Sequence, residues 1–331
     1  AEMEKAFDTE IFRIGDDKTF RAMALEVFHF QARTVPVYRD YLAALKFDPL
    51  KVKEVEELPF LPVEFFKSHQ IIVEGKDAEV VFESSGTSLS IPSRHLVADA
   101  AIYRESFQKG FRLFYGPPED LCILALLPSY LEREGSSLVY MMDHLIKASN
   151  HPQSGFYLDK LEDLSDILRQ RNRDGHATLL LGVSFALLDL AETFPMALED
   201  NITVMETGGM KGRRKEMIRS ELHRIITTAF GLSSVHSEYG MTELLSQAYS
   251  DGNGIFRCPP WMHILVRDPN DPLSVMGEKS PGGINVIDLA NLNSCSFVAT
   301  GDLGKSYADG SFEILGRFDH SDIRGCNLLV S

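Results

Sequence analysis

Apolar side chains repeat every three or four positions near the start of the chain, in residues 18–46. Phe20, Met23 and Val27 follow this spacing, which is typical of one buried face of a helix. Pro36 lacks the amide hydrogen that a continuous helix needs. The pattern therefore predicts two helices that are separated at this proline.

From about residue 78 the pattern changes to strands that alternate with helices. Residues 120–128 and 177–184 are continuous apolar runs, as expected for strands buried on both faces of a sheet. A third run, 202–209, ends in a pair of glycines, and amphipathic segments separate the three runs. This alternation favours βαβ units and a mostly parallel sheet.

Beyond about residue 255 the predicted strands become shorter and alternate between apolar and polar positions. We therefore predict an α/β fold, with mixed and parallel sheets flanked by helices and a small β-subdomain. The expected regions are an N-terminal helical elaboration over 1–77, an α/β core over 78–254, and a β-rich subdomain over 255–331.

The composition is that of an ordinary globular protein, with 44% hydrophobic and 24% charged residues. The formal net charge of −15 disfavours binding to nucleic acid or to anionic membranes. No apolar run approaches the ~18–20 residues that span a bilayer, and the acidic N-terminus lacks a secretion-signal pattern. The four cysteines include no CxxC pair, so we expect neither a zinc knuckle nor a dense disulfide framework, and a cytoplasmic location.

Hydroxyl side chains surround a glycine in the loop 84–88, SSGTS, which follows a predicted strand over 78–83. The glycine lets successive backbone amides face one concavity and the hydroxyls add donors, a combination that suits a polyphosphate. The pattern GxxxxGK[ST] is absent, so this is not a Walker A loop. An ordinary strand-to-strand turn is the alternative.

A second cluster, YGMTE, follows a short predicted strand. Tyr239 offers a ring that could stack on a base, Thr242 a hydroxyl for a phosphate, and Glu243 a carboxylate for Mg²⁺. Ligands bind at such strand ends in open α/β sheets. Alternatively, Thr242 caps a helix and Glu243 faces the positive end of its dipole.

Three further segments carry candidate binding residues. Gly208 and Gly209 let the backbone lie flat against a planar base, and the cations within 211–214 either attract an anion or begin a solvated basic helix. Asp302 lies between two glycines, where it either accepts the hydroxyls of a ribose or belongs to a turn. Arg317 offers a planar fork for phosphate or ribose oxygens, or a surface ion pair.

Five segments, taken in order, resemble the motifs of the adenylate-forming superfamily, which includes acyl-CoA synthetases and phenylacetate–CoA ligases. They are SSGTS, ETGG, YGMTE, TGD and GR. Within it, the chain is most similar to the acyl-protein synthetases (fatty-acid–protein ligases) of bacterial bioluminescence. The segments 34–42, 59–69 and 316–329 extend the resemblance over nearly the whole chain. It implies the large N-terminal domain of the adenylate-forming fold, with nucleotide and acyl group bound by the core.

The resemblance implies ATP and Mg²⁺ as cofactors. The residues that would hold the β- and γ-phosphates are Ser84, Ser85, Gly86, Thr87 and Ser88. Those that would lie along or flank the adenine are Gly208, Gly209 and Tyr239. Thr242 would approach the α-phosphate, and Glu243 would ligate Mg²⁺. Asp302 would take the ribose hydroxyls, with Arg317 beside it.

The implied reaction converts a carboxylic acid, such as a fatty acid, into acyl-AMP and pyrophosphate. Cys326 would then receive the acyl group and pass it to a partner reductase or carrier protein. The alternative for Cys326 is a small buried residue in a final strand.

Two departures from the superfamily pattern matter. Residues 89–93 lack the usual glycine and lysine after SSGTS, so we expect weaker phosphate binding or a contribution from Arg94. The chain also ends soon after Arg317, so we expect the mobile C-terminal domain with its catalytic lysine to be absent. This shortness favours an acyl-protein synthetase.

Two alternatives stay open: an acyl- or aryl-CoA ligase, and a degenerate nucleotide-binding protein that acts through a partner without turnover. All these interpretations depend on segments between 84 and 317 that converge around one nucleoside triphosphate.

Overall fold

The structure is a computed structural model that describes residues 7–85, 91–129, 132–209, 215 and 217–318. The spatial contacts of the chain divide it into two units. Unit 1 takes its described residues from 1–106, 241–246 and 257–331, and unit 2 comprises those of 107–240 and 247–256. Both units combine segments that are distant in sequence. The three regions expected from the sequence were delimited by hydrophobic pattern and not by spatial contacts. They therefore stay a prediction.

Unit 2 is built on a sheet with the strand order β5-β4-β6-β7-β8-β9. Its strands are β4 (Cys122–Leu126), β5 (Gly155–Phe156), β6 (Thr178–Gly182), β7 (Ile202–Glu206), β8 (His236–Tyr239) and β9 (Ala248–Ser250). The strands from β4 to β8 are parallel, and β9 runs antiparallel to β8. A further short strand is β10 (Ile255–Phe256). The mostly parallel sheet predicted from the sequence is confirmed.

Four helices alternate with these strands: α5 (Ser137–Ser149), α6 (Leu161–Asp174), α7 (Ser184–Thr193) and α8 (Arg219–Phe230). Every residue of β4 and β6 is buried, because side chains from both faces enter an apolar core. Cys122 is fully buried in β4, as its apolar run predicted. Helix α8 begins at Arg219, and the cations within 211–214 lie outside the described residues.

Unit 1 contains the paired N-terminal helices α1 (Asp17–Thr34) and α2 (Pro36–Ala44). The carboxylate of Asp16 caps α1 by accepting a hydrogen bond from the Thr19 amide at 2.7 Å. Pro36 is the first residue of α2, where its missing amide hydrogen costs no helical bond. The predicted break between two helices is confirmed.

The remaining elements of unit 1 are mainly strands. They are β1 (Leu61–Pro62), β2 (Val80–Glu83), β3 (Arg94–Val97), β11 (Met262–Arg267), β12 (Gly282–Asp288), β13 (Phe297–Ser306) and β14 (Phe312–Arg317). A short helix, α3 (Phe65–Ser68), follows β1, and α4 (Ala100–Tyr115) begins in this unit. The order β14-β13-β12-β11 is antiparallel, and β1 pairs with β13 in parallel.

Aromatic side chains join the helices of unit 1 to its sheet. The ring of Phe297 lies 5.9 Å from that of Phe28 and 6.0 Å from that of Tyr38, measured between centroids. Gln31 of α1 donates to the carbonyls of Asn291 and Leu292 at 3.0 and 2.9 Å. These contacts hold α1 against the segment that precedes β13.

Candidate functional site

The segment that carries Thr242 and Glu243 is a turn in unit 1. The amide of Leu244 donates to the Met241 carbonyl at 3.1 Å, and no helix follows before β9 begins at Ala248. The alternative in which Thr242 caps a helix is therefore wrong. Below, residues 242–246 are called the acidic turn.

Three buried polar side chains of unit 1 hold the backbone of the acidic turn: His95, Asp288 and Asn291. His95 Nδ1 lies 2.8 Å from the Thr242 carbonyl, and Asn291 Nδ2 donates to the Glu243 carbonyl at 2.8 Å. Asp288 Oδ2 accepts from the amides of Leu245 and Ser246 at 2.8 and 2.9 Å. We call these three residues the backbone clamp, because their contacts fix the path of the turn.

The clamp is not positively charged near neutral pH. Burial lowers the pKa of His95 to about 4. The neutral ring therefore donates from Nδ1 to the Thr242 carbonyl, while Nε2 lies 2.8 Å from the Ser294 hydroxyl. Burial raises the pKa of Asp288 to about 6 against the hydrogen bonds that favour its carboxylate.

The side chain of Glu243 lies in a mixed environment. The residue is 8% exposed, and burial raises the pKa of its carboxyl above the ordinary value. A hydrogen bond from the Ser93 hydroxyl and the charges of Lys67 and Arg317 act in the opposite direction. Glu243 is thus a largely buried carboxylate with two cations in its vicinity.

Asp302 and Arg317 face each other across neighbouring strands. They are register partners of β13 and β14, and Arg317 Nε lies 3.6 Å from Asp302 Oδ1. The Asp302 side chain is 12% exposed and that of Arg317 is 83% exposed. Asp302 therefore lies within a strand, and the alternative of a turn is wrong. Arg317 does form an ion pair, and its partner is another predicted site residue.

The loop after β2 connects it to β3 in an antiparallel pair. Ser84 and Ser93 close this connection, since the Ser84 amide donates to the Ser93 carbonyl at 3.0 Å and the Ser93 amide donates to Ser84 Oγ at 2.8 Å. The buried hydroxyl of Ser85 has no hydrogen-bond partner among the described residues. The predicted residues Gly86, Thr87 and Ser88 lie outside those residues.

Two pairs of residues in unit 1 act on Glu243. Ser93 bonds to Ser84 and Arg317 pairs with Asp302, and both the Ser93 hydroxyl and the charge of Arg317 act to lower the pKa of Glu243. Hydroxyl donors, an exposed guanidinium and the unpartnered Ser85 hydroxyl fit the oxygens of a phosphate chain.

The glycine pair in unit 2 follows β7 and has a backbone that favours glycine. Gly208 and Gly209 have φ values of 77° and 100°, in the left-handed region. The Gly208 amide donates to Glu206 Oε2 at 2.7 Å. The segment expected to lie along the adenine is therefore fixed by a carboxylate at the end of the preceding strand.

Glu206 is the centre of a buried network in unit 2. Its Oε1 atom lies 2.6 Å from Ser237 Oγ, 3.2 Å from Arg219 Nε and 3.2 Å from His223 Nε2. Burial acts to raise the pKa of Glu206, but the hydrogen bond from His223 and the charge of Arg219 outweigh it and lower the pKa. Glu206 is therefore ionised and paired.

Tyr239 lies at the end of β8, two residues after Ser237. The residue is 8% exposed, and its ring meets that of Phe256 edge-on at 5.9 Å. Most of the ring surface is thus already packed within unit 2. The expected contact with a base stays a prediction.

Sequence reasoning missed the residues that position the site: the backbone clamp, Ser93 and Glu206. One signal was present, because the polar residues of DLANLNS follow directly on a buried strand. Buried polar side chains need partners, so such a run indicates a structural network. The predicted acyl carrier Cys326 lies outside the described residues.

The described residues contain no group of three or more His, Cys, Asp or Glu side chains that could hold a metal ion. A single carboxylate such as Glu243 fits a Mg²⁺ ion that takes its other ligands from phosphate oxygens and water. Within the same part of the chain, no helix has the length and apolar character to cross a membrane.

One protein family matches the sequence of this chain. The profile of the family described as "Acyl-protein synthetase, LuxE" matches residues 6–331. No curated protein matches the chain.

Solved structures of adenylate-forming ligases are similar in fold. ATP-bound MatB from Rhodopseudomonas palustris is 20% identical with a TM-score of 0.54, over 74% of this chain and 49% of MatB. An open conformation of 2-hydroxyisobutyryl-CoA ligase with 2-HIB-AMP and CoA is 16% identical with a TM-score of 0.67, over 92% of this chain and 70% of the ligase. The chain thus spans about half the length of MatB. These likenesses confirm the predicted α/β fold of the adenylate-forming superfamily.

Proposed function

The chain belongs to the LuxE family of acyl-protein synthetases, and from this premise we propose that it activates a carboxylic acid with ATP and transfers the acyl group to a protein thiol. One observation carries the proposal: within unit 1, Ser93, which is bonded to Ser84, and Arg317, which is paired with Asp302, both favour the charged form of Glu243. Family membership and the adenylate-forming fold support the same class of acid-activating ligase.

In the proposed first step, a carboxylate oxygen of the acid forms a bond to the α-phosphorus of ATP. The bond from that phosphorus to the bridging oxygen breaks, and pyrophosphate leaves with the electron pair. This chemistry needs positioning and charge stabilisation more than a protein nucleophile. The acid is proposed to be a fatty acid.

Each predicted residue has a place in this step. Residues 84–88 bind the terminal phosphates, and Thr242 approaches the α-phosphate. Glu243 would hold Mg²⁺, which would neutralise charge on the phosphate oxygens. Asp302 binds the ribose hydroxyls, with Arg317 beside it. In unit 2, Gly208, Gly209 and Tyr239 contact the adenine.

In the proposed second step, the thiolate of Cys326 attacks the carbonyl carbon of acyl-AMP. A carbon–sulfur bond forms, the bond to the phosphate oxygen breaks, and AMP leaves. The acyl group then passes to a partner reductase or carrier protein. Arg324 in the segment RGCN favours the thiolate form of this cysteine through its charge.

The first step is tested by exchange of labelled pyrophosphate into ATP with a panel of fatty and aryl acids. Exchange that depends on one of these acids supports the proposal, because only reversible acyl-AMP formation returns the label to ATP. An absence of exchange with every acid overturns it. Tight ATP binding without exchange points instead to the non-catalytic alternative.

The second step is tested with a labelled acid and hydroxylamine, which cleaves thioesters. We expect the label on the wild-type chain to be released by hydroxylamine and to be lost in Cys326→Ser. Cys258→Ser is the matched control, because burial raises the pKa of this half-buried thiol. A label that persists in Cys326→Ser excludes Cys326 as the carrier, and acyl-CoA as the main product favours a CoA ligase.

A further inference from the structure

Two buried polar side chains of unit 2 have no hydrogen-bond partner within the part of the chain that the structure describes. Glu238 is 9% exposed and Gln247 is 6% exposed. The fully enclosed polar atoms that lack a partner belong to other residues, so the polar atoms of Glu238 and Gln247 stay accessible from outside. Because buried polar groups normally have partners, this pair indicates a partner that the chain itself does not supply.

The two side chains meet at Gly240, which follows β8. A Cβ atom added to this glycine would collide with Glu238 Oε1 and would lie 3.4 Å from Gln247 Cγ. Gly240 itself is half-buried, so the position between the two side chains can be reached from outside. The lack of a side chain at position 240 therefore leaves room for a small group that Glu238 and Gln247 hold between them.

The alternation of side chains along β8 assigns Glu238 to one face of the sheet. Successive side chains of a strand point to opposite faces. Ser237 Oγ lies 2.6 Å from Glu206 Oε1 on one face, whereas His236 Nδ1 lies 2.9 Å from the hydroxyl of Tyr115 on the other. Glu238 therefore shares a face with His236, the face on which α4 packs.

The opposite face carries Tyr239, the residue expected to flank the adenine. Tyr239 lies two positions after Ser237, so it shares the face of Ser237. A base that stacks on Tyr239 is thus on the other side of the sheet from Glu238. The first step of the proposed reaction has one other organic reactant, the carboxylic acid, and we assign the face of Glu238 to it.

The groups on this face are uncharged near neutral pH. Burial and the negative charge of Glu206 raise the pKa of Glu238 to about 8, so its carboxyl keeps its proton. Burial also lowers the pKa of His236, so that ring is neutral. A protonated carboxyl and the amide of Gln247 each offer one acceptor and at least one donor. A hydroxyl fits such a pair, because it accepts one hydrogen bond while it donates another, and it adds no charge next to Glu206.

We propose that Glu238 and Gln247 bind a hydroxyl group on the hydrocarbon chain of the acid, so that the substrate is a hydroxy acid and not an unsubstituted fatty acid. The inference rests on the proposed function, and it narrows the fatty acid named there to a hydroxylated one. A site that hydrogen-bonds a substrate hydroxyl strongly rejects the analogue without it, because its buried polar groups are then left unpaired.

The test measures pyrophosphate exchange with pairs of acids that differ only by a hydroxyl. Dodecanoic and hexadecanoic acid are compared with derivatives that carry a hydroxyl on the second, the third or the last carbon. We expect the wild-type kcat/KM to favour one hydroxy acid over its parent by about 100-fold or more. Glu238→Leu and Gln247→Leu should each reduce this preference by about tenfold or more, because they remove a hydrogen bond at similar side-chain size.

Glu238→Gln is the conservative variant, since its amide keeps a donor and an acceptor, and it should retain the preference within about threefold. Gln108→Leu is the matched control, because Gln108 is an exposed glutamine of the same unit, and it should change nothing. Equal wild-type kcat/KM for every hydroxy acid and its parent would overturn the proposal. An undiminished preference in Gln247→Leu would do so too, even where Glu238→Leu fails to fold, as would a loss in Glu238→Gln as large as that in Glu238→Leu.

Binding of the same acids without ATP, followed by titration calorimetry, separates this inference from the proposed function. Tighter binding of a hydroxy acid than of its parent, by a wild-type chain that shows no exchange, contradicts the ligase and supports the hydroxyl site. Exchange that proceeds equally well with parent and hydroxy acids contradicts only the hydroxyl site. A wild-type chain that neither binds nor exchanges with any of these acids overturns both.

Discussion

Glu206 of unit 2 and Glu243 of unit 1 are both largely buried, but their surroundings affect the two carboxyl groups in opposite directions. Glu206 accepts hydrogen bonds from a backbone amide, a hydroxyl, an arginine and a histidine, and its pKa is lowered. For Glu243 burial is the largest influence and raises the pKa, against the opposing effects of the Ser93 hydroxyl, of its own amide and of the charges of Lys67 and Arg317.

The difference separates a structural carboxylate from one that is suited to a ligand. An ionised carboxylate has about four acceptor sites. Those of Glu206 are filled by side chains and backbone of unit 2, so it has little capacity left for a metal or substrate. Glu243 has fewer partners, and a divalent cation would offset the burial that raises its pKa.

The largest expected effect on stability belongs to Glu206→Ala. This change leaves Arg219 and His223 without their buried partner, and it frees the Gly208 amide. We expect the free energy of unfolding to fall by about 3 kcal/mol, as when one member of a buried ion pair is removed. Urea denaturation followed by circular dichroism measures the change.

Glu199→Ala is the control for Glu206→Ala, because Glu199 is an exposed glutamate of the same unit. It should change the free energy of unfolding by less than about 0.5 kcal/mol. A loss of similar size in both variants would show that the Glu206 network contributes nothing particular to unit 2.

For Glu243→Gln we expect the reverse pattern, with a large effect on activity and a small one on stability. The amide cannot ligate Mg²⁺ as a carboxylate does, so pyrophosphate exchange should fall by about 100-fold. Stability should be kept or increased, because glutamine removes a buried group whose charged form is penalised. The exchange assay is run over a Mg²⁺ series, with thermal unfolding of the same samples.

Glu64→Gln, at an exposed glutamate of unit 1, should leave both exchange and stability unchanged. The distinction between the two buried glutamates would be lost if Glu243→Gln exchanged pyrophosphate within about threefold of wild type. It would also be lost if this variant were destabilised as strongly as Glu206→Ala.

Local sequence patterns were sufficient to predict the central strands of unit 2 and their mostly parallel arrangement. The apolar runs in β4 and β6 are long enough to indicate strands buried on both faces, and their residues are indeed fully buried. The break before Pro36 was equally predictable, since proline acts through its own backbone. These features depend on neighbours in the chain.

The backbone clamp was not predictable, because it depends on residues that are distant in sequence. His95 binds a carbonyl 147 positions later in the chain, and Asn291 binds one 48 positions earlier. No local pattern specifies such pairings, since they follow from how the strands are arranged in space. The resemblance implied that Arg317 lies beside Asp302, but their ion pair could not be derived from local pattern, because it depends on the register of β13 and β14.

The last expected effect concerns pH and a third buried glutamate, Glu238 of unit 2. Burial and the negative charge of Glu206 raise the pKa of Glu238 to about 8. Between pH 4.5 and 8 the folded chain therefore holds a proton that the unfolded chain has released, so stability falls as pH rises through this range and levels off above it. Glu206, whose pKa is lowered, contributes the opposite slope at acid pH. We expect Glu238→Gln to gain about 1 kcal/mol relative to wild type for each pH unit between pH 5 and pH 8, measured by urea unfolding. Parallel pH profiles for the two proteins would show that Glu238 is ionised in the folded chain, and the contrast between filled and unfilled buried carboxylates would then no longer explain their pKa values.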